Sequence, residues 1–209
     1  MSSTSRSLAV IPIVHTEADL GKLAEQFRRI EGDEVWNDKQ RAIATFWERI
    51  VEWTESQTTS DTPLFLFQDG LPAVDQAEQI VCDLASRQSI NHVVLASLMD
   101  HGGTLIGTED PDLLLREYEI AKAAAEALTN GQAPDPRDQQ RSATLLDRRD
   151  RFIAERIDQS LPPNASGVLF IGMLHNVEQH LPSDITVNHP LGRPTIDGNT
   201  AHPSQAQAG

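Results

Sequence analysis

Short apolar runs alternate along the chain with longer segments in which apolar residues recur every three or four positions. Runs at 8–15, 62–72, 104–108 and 166–175 have the length of buried strands, and 185–190 is a candidate fifth strand. The segments between them have the pattern of amphipathic helices, as in 36–57, where Ile43, Trp47 and Ile50 share one face. Pro12 cannot donate a ladder hydrogen bond, so the first strand is expected at a sheet edge or beside an interrupted ladder.

This order of elements predicts the fold class and the domain organisation. Strands separated by helices long enough for a crossover indicate an α/β fold, with a mostly parallel central sheet of four to five strands and helices on both faces. A chain of 209 residues is long enough for one substantial core. We therefore expect a single α/β domain over 1–190, followed by a flexible tail over 191–209 that has few large apolar residues.

The charge balance restricts the class of partner. A formal net charge of -14 would repel nucleic-acid phosphates and anionic membranes, unless the basic residues cluster on one face. No apolar run approaches the roughly 18 residues that a membrane span requires, and the N-terminus lacks a convincing signal peptide. These features predict a cytoplasmic protein with a small-molecule or peptide substrate, without a nucleic-acid or membrane partner. A homo-oligomer remains open.

The residues that follow the predicted strands are the candidate site. In parallel sheets, ligands bind at the carboxyl ends of the strands. Acids and imidazoles occur at four such ends, where the sequence has His15 with Glu17, then Asp69, Glu109 and His175. Imidazole and carboxylate together suit a divalent ion such as manganese, cobalt, zinc or iron, which could activate a water molecule. Because the chain has a single cysteine, a cysteine-rich zinc site is excluded.

Several of these residues also have simpler structural interpretations. Asp69 precedes Gly70, and Asp-Gly is a common turn sequence. Glu109 precedes a predicted helix, where an acid favours the helix dipole. The helix before the last long strand has many charges that would ordinarily pair with one another on a solvated face. One of its arginines could nevertheless reach the site and bind an anionic group, although spacing alone does not say which.

Two short motifs resemble a known superfamily. "GMLH", from Gly172 to His175, matches a Gly-x-x-His motif that follows an arginine-bearing helix, here "RDRFIAERI". In "PIVH", Pro12 replaces the glycine of the matching first motif before His15. This arrangement resembles the TraB and Tiki group, which is related to the haem-binding ChaN proteins and the erythromycin esterases.

The resemblance implies a compact α/β fold and, in the Tiki branch, metal-dependent peptide hydrolysis. By this likeness His15 and His175 would be metal ligands or a general acid and base. Glu17 or Glu109 would complete the site, and one of Arg149 and Arg151 would orient the substrate. Erythromycin esterases use a similar histidine as a base without a metal, and ChaN proteins bind haem.

Three functional hypotheses follow. The first is a metal-dependent hydrolase whose site combines the strand-end histidines and carboxylates with an arginine. The second is a non-catalytic or regulatory protein that binds a small anion or a haem-like ligand in the same pocket. The third is an interaction protein that uses its acidic surface and an exposed Trp36 as an anchor.

Overall fold

The protein forms one five-stranded sheet with six α-helices among the residues that the structure describes. The structure is a computed structural model and describes residues 5–14, 16, 22–133 and 135–192. The strands are β1 (Arg6–Ile13), β2 (Leu64–Pro72), β3 (Thr104–Glu109), β4 (Ser166–Gly172) and β5 (Ile185–Asn188). The helices are α1 (Lys22–Glu31), α2 (Asp33–Gln57), α3 (Ala77–Ser86), α4 (Ile90–Asp100), α5 (Pro111–Thr129) and α6 (Pro136–Ser160), and a 3₁₀ turn covers Val177–His180.

Every strand pair in the sheet is parallel, and the strand order is β3-β2-β4-β1-β5. The predicted α/β class is therefore confirmed. β1 lies inside the sheet, so the expectation of an edge position for the Pro12 strand is wrong. β5 pairs with β1 only from Arg6 to Ala9, so Pro12 lies beyond the end of that ladder and pairs with Ile171 of β4. The alternative of an interrupted ladder matches this geometry.

Alternate residues of the strands enter two separate cores, one on each face of the sheet. On one face, Leu8 and Val10 of β1 pack with Ile153 and Ile157 of α6. On the other face, the neighbouring Ala9 and Ile11 belong to a core formed with α2, α3 and α4. This two-residue period is the geometry of a strand that is buried on both sides, and it confirms that helices cover both faces.

Helix α2 is tied to the sheet and also buries the tryptophan that was expected at the surface. Trp47 Nε1 donates a hydrogen bond of 3.0 Å to the carbonyl oxygen of Val14, just after β1. Trp36 is only 4% exposed, so the prediction of an exposed aromatic anchor there is wrong. Helix α1 packs against α2, a tertiary contact that the pattern of a single helix does not reveal. None of the helices in the described ranges is long and apolar enough to cross a bilayer.

Candidate functional site

The Asp69-Gly70 pair lies within β2 and does not end it. β2 continues to Pro72, and its pairing with β3 changes register between Gln68 and Pro72. Gly70 has a φ of 74°, a left-handed conformation that glycine adopts without steric cost. The pair therefore forms a bulge, the kind of irregularity that redirects a side chain next to a site. Because of this bulge, Asp69 is available to groups on β4 and α6 instead of closing a turn.

The two consecutive acids at the end of β3, Glu109 and Asp110, have different roles. Glu109 is the last residue of β3 and is completely buried. Asp110 is the capping residue of α5, since its Oδ1 accepts hydrogen bonds from the backbone N–H groups of Asp112 at 2.8 Å and Leu113 at 3.3 Å. The helix-terminus interpretation thus applies to Asp110, and Glu109 is left for the site.

Arg149 of α6 connects the acids of β2, β3 and α5. Its Nε and Nη2 donate to both oxygens of Glu109, at 3.1 and 2.5 Å, which is the two-point geometry of a strong charge-assisted pair. Nη2 also lies 2.8 Å from Asp69 Oδ1, and Nη1 binds Glu117 of α5. Burial lowers the pKa of Arg149, but the surrounding carboxylates outweigh this effect and raise it above its ordinary value. Arg149 therefore remains charged in the interior.

His175 is held in the turn after β4 by two carboxylates. Its Nδ1 lies 2.5 Å from Asp150 Oδ1, and its Nε2 lies 3.4 Å from Asp69 Oδ2. The other oxygen of Asp150 accepts a 2.8 Å hydrogen bond from the backbone N–H of Asn176. Asp150 thus fixes the imidazole plane and directs Nε2 toward Asp69, as carboxylates that hydrogen-bond the second ring nitrogen do for metal-binding histidines.

Gly172, the glycine of the Gly-x-x-His motif, lies in close contact with the carboxylate of Asp69. The backbone N–H of Gly172 donates to Asp69 Oδ2 at 3.0 Å, and its carbonyl accepts a 3.2 Å hydrogen bond from the N–H of His175. A Cβ at position 172 would lie 3.0 Å from the same Asp69 oxygen, closer than nearly all real Cβ contacts. A side chain at position 172 would therefore require the Asp69 carboxylate to shift, and glycine accommodates this close approach.

Burial and pairing shift the pKa values of the cluster in opposite directions. Burial lowers the pKa of His175, but its hydrogen bonds to Asp150 and Asp69 outweigh this and raise the pKa to about 9. Burial raises the pKa of Asp69, but the hydrogen bond to His175, the charges of His175 and Arg149 and the Gly172 N–H together outweigh it, so that the pKa is lowered. The pKa of Glu109 is raised, because the desolvation of its charged form exceeds the stabilisation by Arg149. The carboxylate of Asp69 is thus the more firmly ionised of the two acids.

Asp69, Glu109 and His175 form the candidate metal centre. Each offers one ligand atom, and these atoms all lie within 4.8 Å of one another. The wider cluster adds Asp150 and Glu117, so four carboxylates surround two cationic groups, Arg149 and His175. An excess of buried negative charge is costly unless it is compensated, and a divalent cation would compensate it.

The structure brings together four of the residues that the sequence singles out: Asp69, Glu109, Arg149 and His175. Arg151 is not among them. Its side chain is 63% exposed and binds Asp147 one turn earlier in α6, at 3.0 Å, so the structure does not place it at the cluster. His15 and Glu17 lie outside the described residues.

Asp150 and Glu117 are the two members of the cluster that the sequence does not identify as site residues. Asp150 stands within the run of charges in α6 that is typical of a solvated face. Glu117 is on α5 with a side chain 48% exposed, and nothing in its sequence neighbourhood distinguishes it from other helical acids. The sequence feature that could have identified Asp150 is its position next to Arg149, in the part of α6 between the buried Leu145 and Ile153.

Comparisons with known proteins add no further identification. A scan against protein-family models found no match, and searches of curated proteins and of solved structures found none either. The resemblance to the TraB and Tiki group therefore remains a prediction from the two motifs. Any function must be argued from the geometry of the cluster itself.

Proposed function

We propose that this protein is a metal-dependent hydrolase whose divalent ion is bound by Asp69, Glu109 and His175. The observation that supports this proposal is the convergence of three donor atoms, each within 4.8 Å of the others, from β2, β3 and the turn after β4. The three side chains are far apart in sequence, and they meet at the carboxyl edge of a parallel sheet, where such folds bind ligands.

The donor set indicates the class of ion. Two carboxylates and one neutral imidazole are typical ligands of manganese, cobalt, zinc and ferrous iron. Such an ion would supply a water molecule of lowered pKa for attack on an ester or amide carbonyl. Because the raised pKa of His175 keeps its ring protonated at neutral pH, ion binding must release that proton.

The surrounding residues prepare the site. Asp150 orients the ring of His175, so that Nε2 is the nitrogen facing Asp69. Arg149 holds Asp69 and Glu109 side by side through its Nη2, and it thereby offsets the repulsion between two neighbouring carboxylates. Together these contacts fix the ligand positions before any ion binds, which reduces the cost of ordering them.

An activity screen tests the proposal. Untagged protein is assayed against panels of nitrophenyl esters and aminoacyl anilides, with each of the four ions and with EDTA. We expect turnover that EDTA abolishes and that Asp69→Asn reduces at least about 100-fold. Arg151→Gln is the matched control, because it removes an exposed charge of α6 away from the cluster. Turnover that is equal in EDTA, or unchanged in Asp69→Asn, would contradict the proposal, as would silence with all four ions.

The alternative of a small-anion receptor has less support from the same geometry. Nε, Nη1 and Nη2 of Arg149 all contact carboxylates already, so an incoming anion would have to displace Glu117 or a buried acid. The cluster is negatively charged overall, which favours a cation over an anion.

A further inference from the structure

A second candidate site lies between α5 and α6, away from the metal-binding cluster. The two helices are joined by a short connection, and an open surface groove of about 770 Å³ lies between them. We call it the hairpin groove and define it by Arg116 and Ile120 of α5 with Arg137, Arg141, Leu145 and Arg148 of α6. A volume of this size is within the range of roughly 300–1,000 Å³ that small-molecule sites occupy.

Sequence spacing places the groove residues of each helix on one face of that helix. Arg137, Arg141 and Arg148 follow a spacing of four and seven residues, which brings their side chains to the same side of α6. Arg116 and Ile120 are four residues apart on α5, so they share a side of that helix. The hairpin therefore combines four arginines in one groove, although acids outnumber basic residues in the chain by 31 to 17.

Two of these arginines have no partner among the described residues. Arg137 binds Asp135 and Arg141 binds Asp138, as is usual for exposed helical charges. Arg116 and Arg148 have neither a hydrogen bond nor an ion pair within the part of the chain that the structure describes, although Glu119 and Asp138 also line the groove. Their guanidinium groups therefore have donors available for a ligand.

The chemistry of the groove indicates its ligand. A guanidinium group matches a phosphate oxygen pair at two points, and two such groups can share one phosphate. Ile120 and the buried Leu145 supply apolar surface next to these charges. A long polyanion such as nucleic acid would extend beyond the groove over a chain whose net charge is -14, where it would be repelled. We propose that the hairpin groove binds a small organic phosphate, with Arg116 and Arg148 on the phosphate and Ile120 and Leu145 against the organic group.

Calorimetric titration with phenyl phosphate tests this proposal, in EDTA and at low ionic strength so that the metal site does not contribute. We expect saturable binding of phenyl phosphate, weaker binding of inorganic phosphate and none of benzyl alcohol. Arg116→Gln and Arg148→Gln should each weaken binding of phenyl phosphate at least about tenfold, because each removes charge-assisted hydrogen bonds.

Arg87→Gln is the matched control, since Arg87 is exposed at the end of α3 and has no ion-pair partner in the described ranges. It should leave phenyl phosphate binding unchanged. Thermal unfolding of each variant checks that these surface substitutions leave the fold intact. Absence of saturable binding, equal weakening by Arg87→Gln, or unchanged binding in both groove variants would overturn the proposal. Tighter, arginine-dependent binding of a single-stranded oligonucleotide would also overturn it, because it would assign the groove to nucleic acid.

Discussion

A buried arginine binds carboxylates at each end of the sheet, Arg6 at one end and Arg149 at the other. The two clusters differ in how exposed those carboxylates are. Arg6, at the amino end of β1, binds Asp158 and Asp184, whose side chains are half exposed. Its Nη1 also donates to the carbonyl oxygens of Asp158 and Leu161. Arg149, at the carboxyl end, binds a completely buried Glu109 and the largely buried Asp69.

The comparison separates a structural ion pair from a candidate site. Around Arg6, the acids can be solvated, and the remaining donors cap the end of α6. Around Arg149, Glu109 is completely buried and Asp69 largely so, although Glu117 is half exposed, and His175 and Asp150 add further ionisable groups. Such a concentration of buried charge adds little to the free energy of folding, because the cost of desolvating the charges offsets most of their attraction. Perturbed ionisable groups of this kind are typical of functional sites.

Removal of each arginine should separate the two clusters most clearly. Arg149→Met leaves Glu109 buried and unpaired, so we expect a loss of about 3–5 kcal/mol in the free energy of unfolding. Arg6→Met releases acids that water can solvate, so its cost should be about 1–2 kcal/mol from lost hydrogen bonds. Urea unfolding of both variants measures the difference. Equal costs would show that the two clusters are energetically alike, and the reverse order would contradict the greater cost expected for the buried Glu109.

Substitution of His175 should greatly reduce turnover. The cluster around Arg6 has no imidazole among the described contacts, so only the carboxyl-end cluster should respond chemically. We expect His175→Gln to lower kcat/KM at least about 100-fold. His180→Gln is the control, because His180 binds Asp147 outside the cluster, and it should stay within about twofold. Comparable losses in both variants would remove the assigned role of His175.

Of the two clusters, only the carboxyl-end cluster should lose stability as the pH rises in the metal-free protein, whereas acids of both clusters contribute to a loss of stability at low pH. The pKa of His175 is raised from 6.5 to about 9, so its stabilisation is complete below pH 6.5 and is lost as the pH rises through 9. The hydrogen bond from Arg6 lowers the pKa of Asp184, so that contribution is present above pH 3.8 and is lost as the pH falls. Unfolding measured in EDTA across this range should show both slopes. His175→Gln should remove the alkaline slope, and the persistence of that slope in the variant would contradict the assignment.

The smallest expected effect is at the exposed side of the Arg6 cluster. Asp158→Asn removes one half-exposed partner of Arg6, and we expect a cost under about 1 kcal/mol that decreases with added salt. Chemical unfolding at low and high ionic strength measures it. A cost as large as that of Arg149→Met would mean that this cluster is also a strongly coupled charge network.

Periodicity was sufficient to predict the α/β class, because strands buried on both faces and amphipathic helices leave clear patterns in a single sequence. Once the buried face of α6 is known, the same period separates Arg149 from Arg151. Arg149 lies four residues after Leu145 and four before Ile153, on the buried stripe of α6, whereas Arg151 lies off that stripe. A charged residue on an apolar stripe indicates a buried partner elsewhere in the fold.

The remaining features depend on contacts between distant segments and could not be predicted from local pattern. The Asp69-Gly70 bulge exists because β3 pairs with β2 on both sides of it with a change of register. Glu117 joins the cluster only because α5 packs against α6. The burial of Trp36 is likewise a tertiary effect. The local sequence thus identified Asp69, Glu109 and His175 near the strand ends, but it did not indicate how their charges are paired.

Calorimetry on untagged protein, treated with EDTA and then freed of it, directly measures whether Asp69, Glu109 and His175 bind a divalent ion. We expect one divalent ion to bind per chain, from among manganese, cobalt, zinc and iron, with proton release at neutral pH as His175 becomes a ligand. Binding should be lost in Asp69→Asn and kept in Asp184→Asn, which removes an acid from the Arg6 cluster instead. Absence of stoichiometric binding, or equal affinity in the Asp69→Asn variant, would contradict the assignment of the carboxyl-end cluster as a metal centre.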